Sequence, residues 1–240
     1  MVSIHHILSI IVSCNLVHSQ LITFCIKNEI GLRCAGSLVD SYSSSTDSLM
    51  QEHLIVRRIG NIAQRCSNRL YVNDDIPIED IQIISVVMEE FIDAFHHGKE
   101  EKAYFPITRS KDGFSEDIRK FLIEHELGRR IANMLRRELN ALTENDHSNS
   151  KRAGTGLKWN NSDKEPVARF LKSYAIFVSD HTAKEDIFFK SIQEKNSVSK
   201  EEDRELLRHY EVCKGQMGGQ ARIEEMLKLI DYLEGREWMK

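Results

Sequence analysis

Proline is nearly missing from this chain, with three residues in 240, and what separates them is rich in Leu, Ile, Glu, Lys and Arg. Both features point to an all-helical protein, since proline breaks helices and the other five favour them. Paired cysteines are missing too. The five present (Cys14, Cys25, Cys34, Cys66 and Cys213) are scattered, odd in number and never in CxxC spacing. Such a pattern suggests neither a disulfide framework nor a thiolate zinc site, and it suits a reducing compartment, so a cytoplasmic location is expected. No charge of one sign dominates: the net charge is −4, with both signs interspersed. A basic nucleic-acid footprint is thereby excluded. Neither GxGxxG nor GxxxxGK[ST] occurs, so no nucleotide-binding loop is indicated. The most apolar stretch, residues 4–26, contains Asn15, His18 and Gln20 and makes a poor membrane span. Its first part has the outline of a secretory h-region, but no Lys or Arg precedes it. Residues 1–47 are therefore expected to be a peripheral extension of unknown function.

What the chain does have is helical periodicity from the end of the Ser-rich stretch 40–48 onward. A first helix is expected over about 48–71, capped by Thr46 or Ser48. A second should open at Pro77 and stop near Pro106, because the residue before a proline resists helical geometry. A third should run from Ser115 to about Thr143, followed by a polar surface connection over 144–162. A fourth should end near Glu194. A fifth, from about Ser199 to the C-terminus, carries Gly215, Gly218 and Gly219 in its middle. Four long helices with short connections predict an up-down four-helix bundle over 48–194, with 195–240 packing on it as one additional helix.

An internal repeat carries the chemistry. "EHLIVRRI" (52–59) recurs as "EHELGRRI" (124–131), and "HHGKEEKAYF" (96–105) recurs as "HTAKEDIFFK" (181–190). Each helix thus holds one element, in the order His, HxxxE, His, HxxxE. The second alignment selects His96 and Glu100, because Lys99 then matches Lys184. On α-helical spacing these two share a stripe with Ile92 and Ala103, whereas His97 and Glu101 fall with Glu90 and Asp93 on a face expected to be solvated. His53, His125, His181 and Glu185 likewise lie among apolar neighbours. Six buried imidazole and carboxylate groups converging in a bundle would be costly without a cation. Two divalent ions bridged by two carboxylates, with imidazoles as end ligands, remove that cost, and the mixed N and O donors suit iron. Glu52, Glu124 and Asp180 each directly precede one of these histidines, about 100° around the helix. They are expected at the surface, or as partners of imidazoles on neighbouring helices.

This His, HxxxE, His, HxxxE pattern resembles the hemerythrin-like, HHE cation-binding proteins. The resemblance implies a non-haem di-iron centre, two iron ions ligated by His53, His96, Glu100, His125, His181 and Glu185. It further implies binding or sensing of dioxygen, nitric oxide or a related small molecule; from the charge pattern and the poor apolar span, neither nucleic acid nor membrane is expected as partner. A di-iron oxidase, peroxidase or nitric oxide reductase is the enzymatic alternative, and an interaction module with a structural metal is a third reading. The animal oxygen carriers have a fifth histidine on the third helix, and no counterpart lies four residues from His125. Open coordination at one ion is therefore expected, favouring reactivity or sensing over oxygen storage.

Overall fold

Ser44 starts the first helix: its backbone is extended (φ −156°, ψ 166°) and its Oγ accepts the Asp47 N–H at 3.1 Å. The result, in a computed structural model that describes residues 44–148 and 161–240, is α1, Ser45–Tyr71. Residues 1–43, with Cys14, Cys25 and Cys34, and residues 149–160 of the expected surface connection lie outside the described residues. Among the described residues there is no strand, and no helix is long and apolar enough to cross a membrane.

The second helix, α2, is continuous but changes pitch. It is α-helical over Ile78–Val87, π-helical over Met88–His97 and Glu100–Tyr104, and α-helical again over Phe105–Thr108. The ladder shift is visible in single bonds. Gly98 N–H reaches back five residues to the Asp93 carbonyl, and Phe105 N–H does the same to Glu100. The helix was expected to stop near Pro106. It runs through to Thr108 instead, because Phe105 keeps helical dihedrals (φ −63°, ψ −42°) and bonds across the wider turn.

The third and fourth helices are α3, Ser115–Ser148, and α4, Asn161–Glu194. α1 packs along α4, α4 along α3, α3 against the α and first π segments of α2, and α2 back against α1. Consecutive neighbours closing a ring make this the expected four-helix bundle. The single additional helix is instead two, α5 (Lys200–Gln216) and α6 (Gly219–Glu234). Gly218 (φ +98°) and Gly219 (φ +78°) both sit in the left-handed region, where a side chain would cost about 1–2 kcal/mol per residue, and the chain turns there. α5 opens with a capping box between Ser199 and Glu202 and packs on α1 and the second π segment. α6 packs on α1 and the first part of α2.

The apolar interior is divided along the bundle axis. One cluster contains Val56, Ile92, Ala132 and Val178 and extends to Met226 and Ile230 of α6. The other contains Leu49, Ala103, Phe121 and Phe188 and extends to Leu206 and Tyr210 of α5. Each helix of the bundle crosses from one cluster to the other at a histidine: His53, His96, His125 and His181. The polar site is therefore a layer sealed above and below by hydrocarbon.

Candidate metal centre

The structure brings all six sequence-predicted residues into that layer. His53, His96, Glu100, His125, His181 and Glu185 are each no more than 2% exposed. The four imidazoles point their Nε2 atoms inward. His53 Nε2 lies 3.2 Å from Glu185 and 4.0 Å from Glu100; His96 Nε2 lies 3.5 Å from Glu100. His125 Nε2 lies 3.5 Å from Glu100 and 3.4 Å from Glu185, and His181 Nε2 lies 3.2 Å from Glu185. Each glutamate thus faces imidazoles from both hairpins, the placement a bridging carboxylate needs.

None of these approaches is a hydrogen bond. The four Nε2 atoms and all four carboxylate oxygens are buried without a partner. A buried unsatisfied polar atom costs about 1–3 kcal/mol, so eight of them amount to on the order of 10 kcal/mol. That is as large as the whole stability of an ordinary domain, roughly 5–15 kcal/mol. A cation accepting these lone pairs removes the cost, so the donor set fits divalent metal.

The outward nitrogens are fully committed. Nδ1 of His96 meets Glu52 at 3.0 Å, and Nδ1 of His181 meets Glu124 at 2.9 Å. Nδ1 of His125 meets Glu101 at 2.8 Å, and Nδ1 of His53 meets Asp186 at 2.7 Å. An anionic acceptor on Nδ1 fixes the tautomer that leaves Nε2 free to coordinate, and it aims the ring. The carboxylates are in turn held by cations. Lys99 contacts Glu52, Lys184 contacts Glu124 at 2.8 Å, Arg129 contacts Glu101 at 3.0 Å, and Arg57 contacts Asp186.

The sequence repeat now has a physical explanation. The Glu and first Arg of E-H-x-x-x-R-R-I, and the Lys and second acid of H-x-x-K-E-acidic, are the imidazole-bracing groups. Of the acids expected to do this or lie at the surface, Glu52 and Glu124 brace. Asp180 instead pairs at the surface with Lys184 at 2.6 Å. Asp186 and Glu101, each directly after a glutamate of the set, take the other two positions. Their signal was in the repeat, where an acid follows each of these glutamates.

Charge in the layer is finely balanced. Burial, and then the charge of Glu185, push the Glu100 carboxyl well above the ordinary range. Burial acts the same way on Glu185, but His181, His125 and His53 outweigh it and hold that carboxyl low. Burial lowers His96 to about 4 despite Glu52, while Glu185 and Glu124 overcome burial at His181 and push it up to about 9.

One expectation is overturned. His97 was placed on the solvated face, yet it is 3% exposed, and Glu101 is only half-exposed. A π turn takes one residue more than an α turn, so the face predicted from α spacing rotates, and His96 and His97 both enter the interior. Burial, then the nearby His125, hold His97 well below the ordinary imidazole range. A cavity of about 90 Å³ reaches His97, lined also by Asp93, Gly128, Arg129, Arg136 and Tyr174. Tyr104, whose ring meets that of Phe189 edge-on at 5.3 Å, shares a hydrogen bond with Thr46 at 2.7 Å.

Comparison with known families gives a match over residues 44–190 to the family described as the hemerythrin HHE cation binding domain. Comparisons with curated proteins and with solved structures gave no match.

Proposed function

The chain belongs to the hemerythrin HHE cation-binding family, and we propose that within it this protein is a non-haem di-iron protein that binds or senses dioxygen, nitric oxide or a related small molecule. The observation that carries the reading is the eight buried, unpartnered donor atoms of His53, His96, His125, His181, Glu100 and Glu185. Iron is favoured because neutral imidazoles and carboxylates are mixed in one set and, among the described residues, no thiolate joins them: Cys66 is buried elsewhere, in the apolar cluster. Bound there, two iron ions would supply exchangeable electrons and positions at which a diatomic molecule can coordinate.

The protein's own contribution is threefold. The four Nδ1–carboxylate bonds hold the imidazoles aimed before metal arrives. Glu100 and Glu185, one per hairpin, each face imidazoles of both halves of the bundle and would hold bound ions between those halves. The two apolar clusters exclude bulk water, while the cavity at His97 leaves room for something the size of a diatomic. A 90 Å³ space does not admit a metabolite-sized substrate, since such pockets run to about 300 Å³ or more.

Metal content and the optical spectrum of anaerobically purified protein, before and after exposure to oxygen or nitric oxide, test this. Two irons per chain and a gas-dependent near-ultraviolet band are expected. A protein that takes up only zinc, or whose iron spectrum is indifferent to both gases, overturns it.

A further inference from the structure

Nearly every group around the centre occurs twice, once per hairpin. Glu52 corresponds to Glu124, Arg57 to Arg129, Lys99 to Lys184 and Glu101 to Asp186. At one buried position the correspondence fails: His97 of α2 stands where α4 has Thr182. Thr182 is fully committed, its Oγ donating to the Val178 carbonyl at 2.9 Å and accepting from Arg57 Nε at 3.1 Å. His97 is not. Its Nδ1 is buried with no hydrogen-bond partner. The neighbouring carboxylate, Asp93, stays 3.6 Å away and is held at 2.9 Å by Arg129.

The spare imidazole has a place to go. One donor atom each of His97, His125 and His181 lies within 4.8 Å of the others, and all three residues are buried. The His97 ring stacks on that of His125, with centroids 3.8 Å apart and planes 17° off parallel. It meets the His181 ring edge-on at 5.7 Å. In the other half, only His53 and His96 gather with Glu100 and Glu185. Thr182, already hydrogen-bonded twice, adds no imidazole there.

We infer that His97 is a fifth imidazole donor, so that the two metal positions of a pseudo-symmetric bundle are unequal: three histidines at one, two at the other. This rests on the reading of the layer as a two-metal centre and sharpens it. The duplicated hairpins would alone create two equivalent positions, filled together. With His97, the position of His125 and His181 gains a ligand that the position of His53 and His96 lacks. The ions should then bind in two separable steps. The π turn is the local device, because only the widened turn lets adjacent residues, His96 and His97, serve opposite sides of the layer.

Anaerobic titration of the full metal-free chain with cobalt(II), followed optically and by calorimetry, tests this. Wild type should take two ions in two resolved steps. His97→Gln, which roughly keeps the side-chain volume, and His97→Ala should each weaken one step by at least about ten-fold. Circular dichroism of the metal-free variants should be unchanged. Uptake of fewer than two ions by wild type would overturn the two-metal reading itself. Two ions in wild type, with unchanged affinities in both His97 variants, would overturn the His97 assignment alone. Should neither variant fold, cobalt-loaded wild type with nitrogen-15-labelled histidine decides: five strongly shifted imidazoles support the inference and four refute it.

Discussion

Glu100→Gln should make the metal-free protein more stable and the metal-exposed protein no better. Glu100 is fully buried, and its carboxylate and that of Glu185 both approach His125 Nε2, at 3.5 and 3.4 Å. Their facing oxygens are therefore no more than about 7 Å apart, and unit charges at that distance repel by about 2 kcal/mol at an effective dielectric of about 20. The glutamine side chain nearly matches the carboxyl in shape and carries no charge, so it removes either that repulsion or the work of keeping Glu100 protonated. For a chain of this size, about 2 kcal/mol corresponds to a rise in Tm of roughly 4–8 °C. The pH dependence fixes the origin. A carboxyl raised on folding costs stability above its unfolded pKa, ordinarily 4.5 here, and costs nothing once both states are protonated. The advantage of the variant should therefore be present at pH 7 and vanish as pH falls below 4.5. Wild type in a 100-fold excess of metal over Kd should gain about 2.7 kcal/mol per site, most of which the variant should lose. Calorimetric melts with chelator and with iron(II) or cobalt(II) measure both. A metal-free variant that melts at or below wild type at pH 7 would refute the claim that the layer is held together against charge strain.

Glu101→Ala should still bind two ions, but about 10–100-fold more weakly at one of them, because it removes the acceptor from His125 Nδ1 and not a donor to metal; stoichiometry and affinity from one titration separate the two effects. Gly128→Ala should cost about 1–3 kcal/mol in a denaturant melt, since its Cβ would stand 2.5 Å from the Phe177 ring. That ring stacks on His181 at 5.2 Å, so metal affinity should fall with stability. Asp80→Ala should cost about 2 kcal/mol in the same assay without changing metal stoichiometry, because buried Asp80 accepts from Arg236 at 2.8 Å and Trp238 at 2.7 Å and so ties the C-terminal turn to α2. Ser199→Ala should lose the capping box of α5 and about 1 kcal/mol of stability, read as a lower urea midpoint.

Much of the centre was legible from spacing because an α-helix has a fixed period. His53, His125, His181 and Glu185 sit on helices of ordinary pitch, and their apolar neighbours at three and four residues report their direction faithfully. The HxxxE pairs report it twice, since His and Glu four apart share one face. Repetition then singled out Glu100 over Glu101, a choice that a lone copy of the motif leaves open. His97 was misplaced because spacing arguments assume the α period, and α2 abandons it over Met88–His97. No residue in that stretch announces the change. Helix ends were likewise read from local chemistry, which places the start of α5 at Ser199 but sets the cap of α1 at Thr46 or Ser48 where Ser44 serves, and stops α2 at Pro106 where the wider turn carries it to Thr108.

The sequence by itself determined that the chain is helical, that two hairpins repeat, and that six histidine and glutamate side chains face inward, because period and composition are local properties. It also held the bracing acids Glu101 and Asp186, as repeated letters without a stated use. Only the tertiary structure decided which carboxylate braces which imidazole, since those bonds cross between helices: Glu52 to His96 and Glu124 to His181 within a hairpin, Asp186 to His53 and Glu101 to His125 between hairpins. It decided too that His97 belongs inside, because α2 changes its pitch over Met88–His97 and a face read at the α period then points the wrong way.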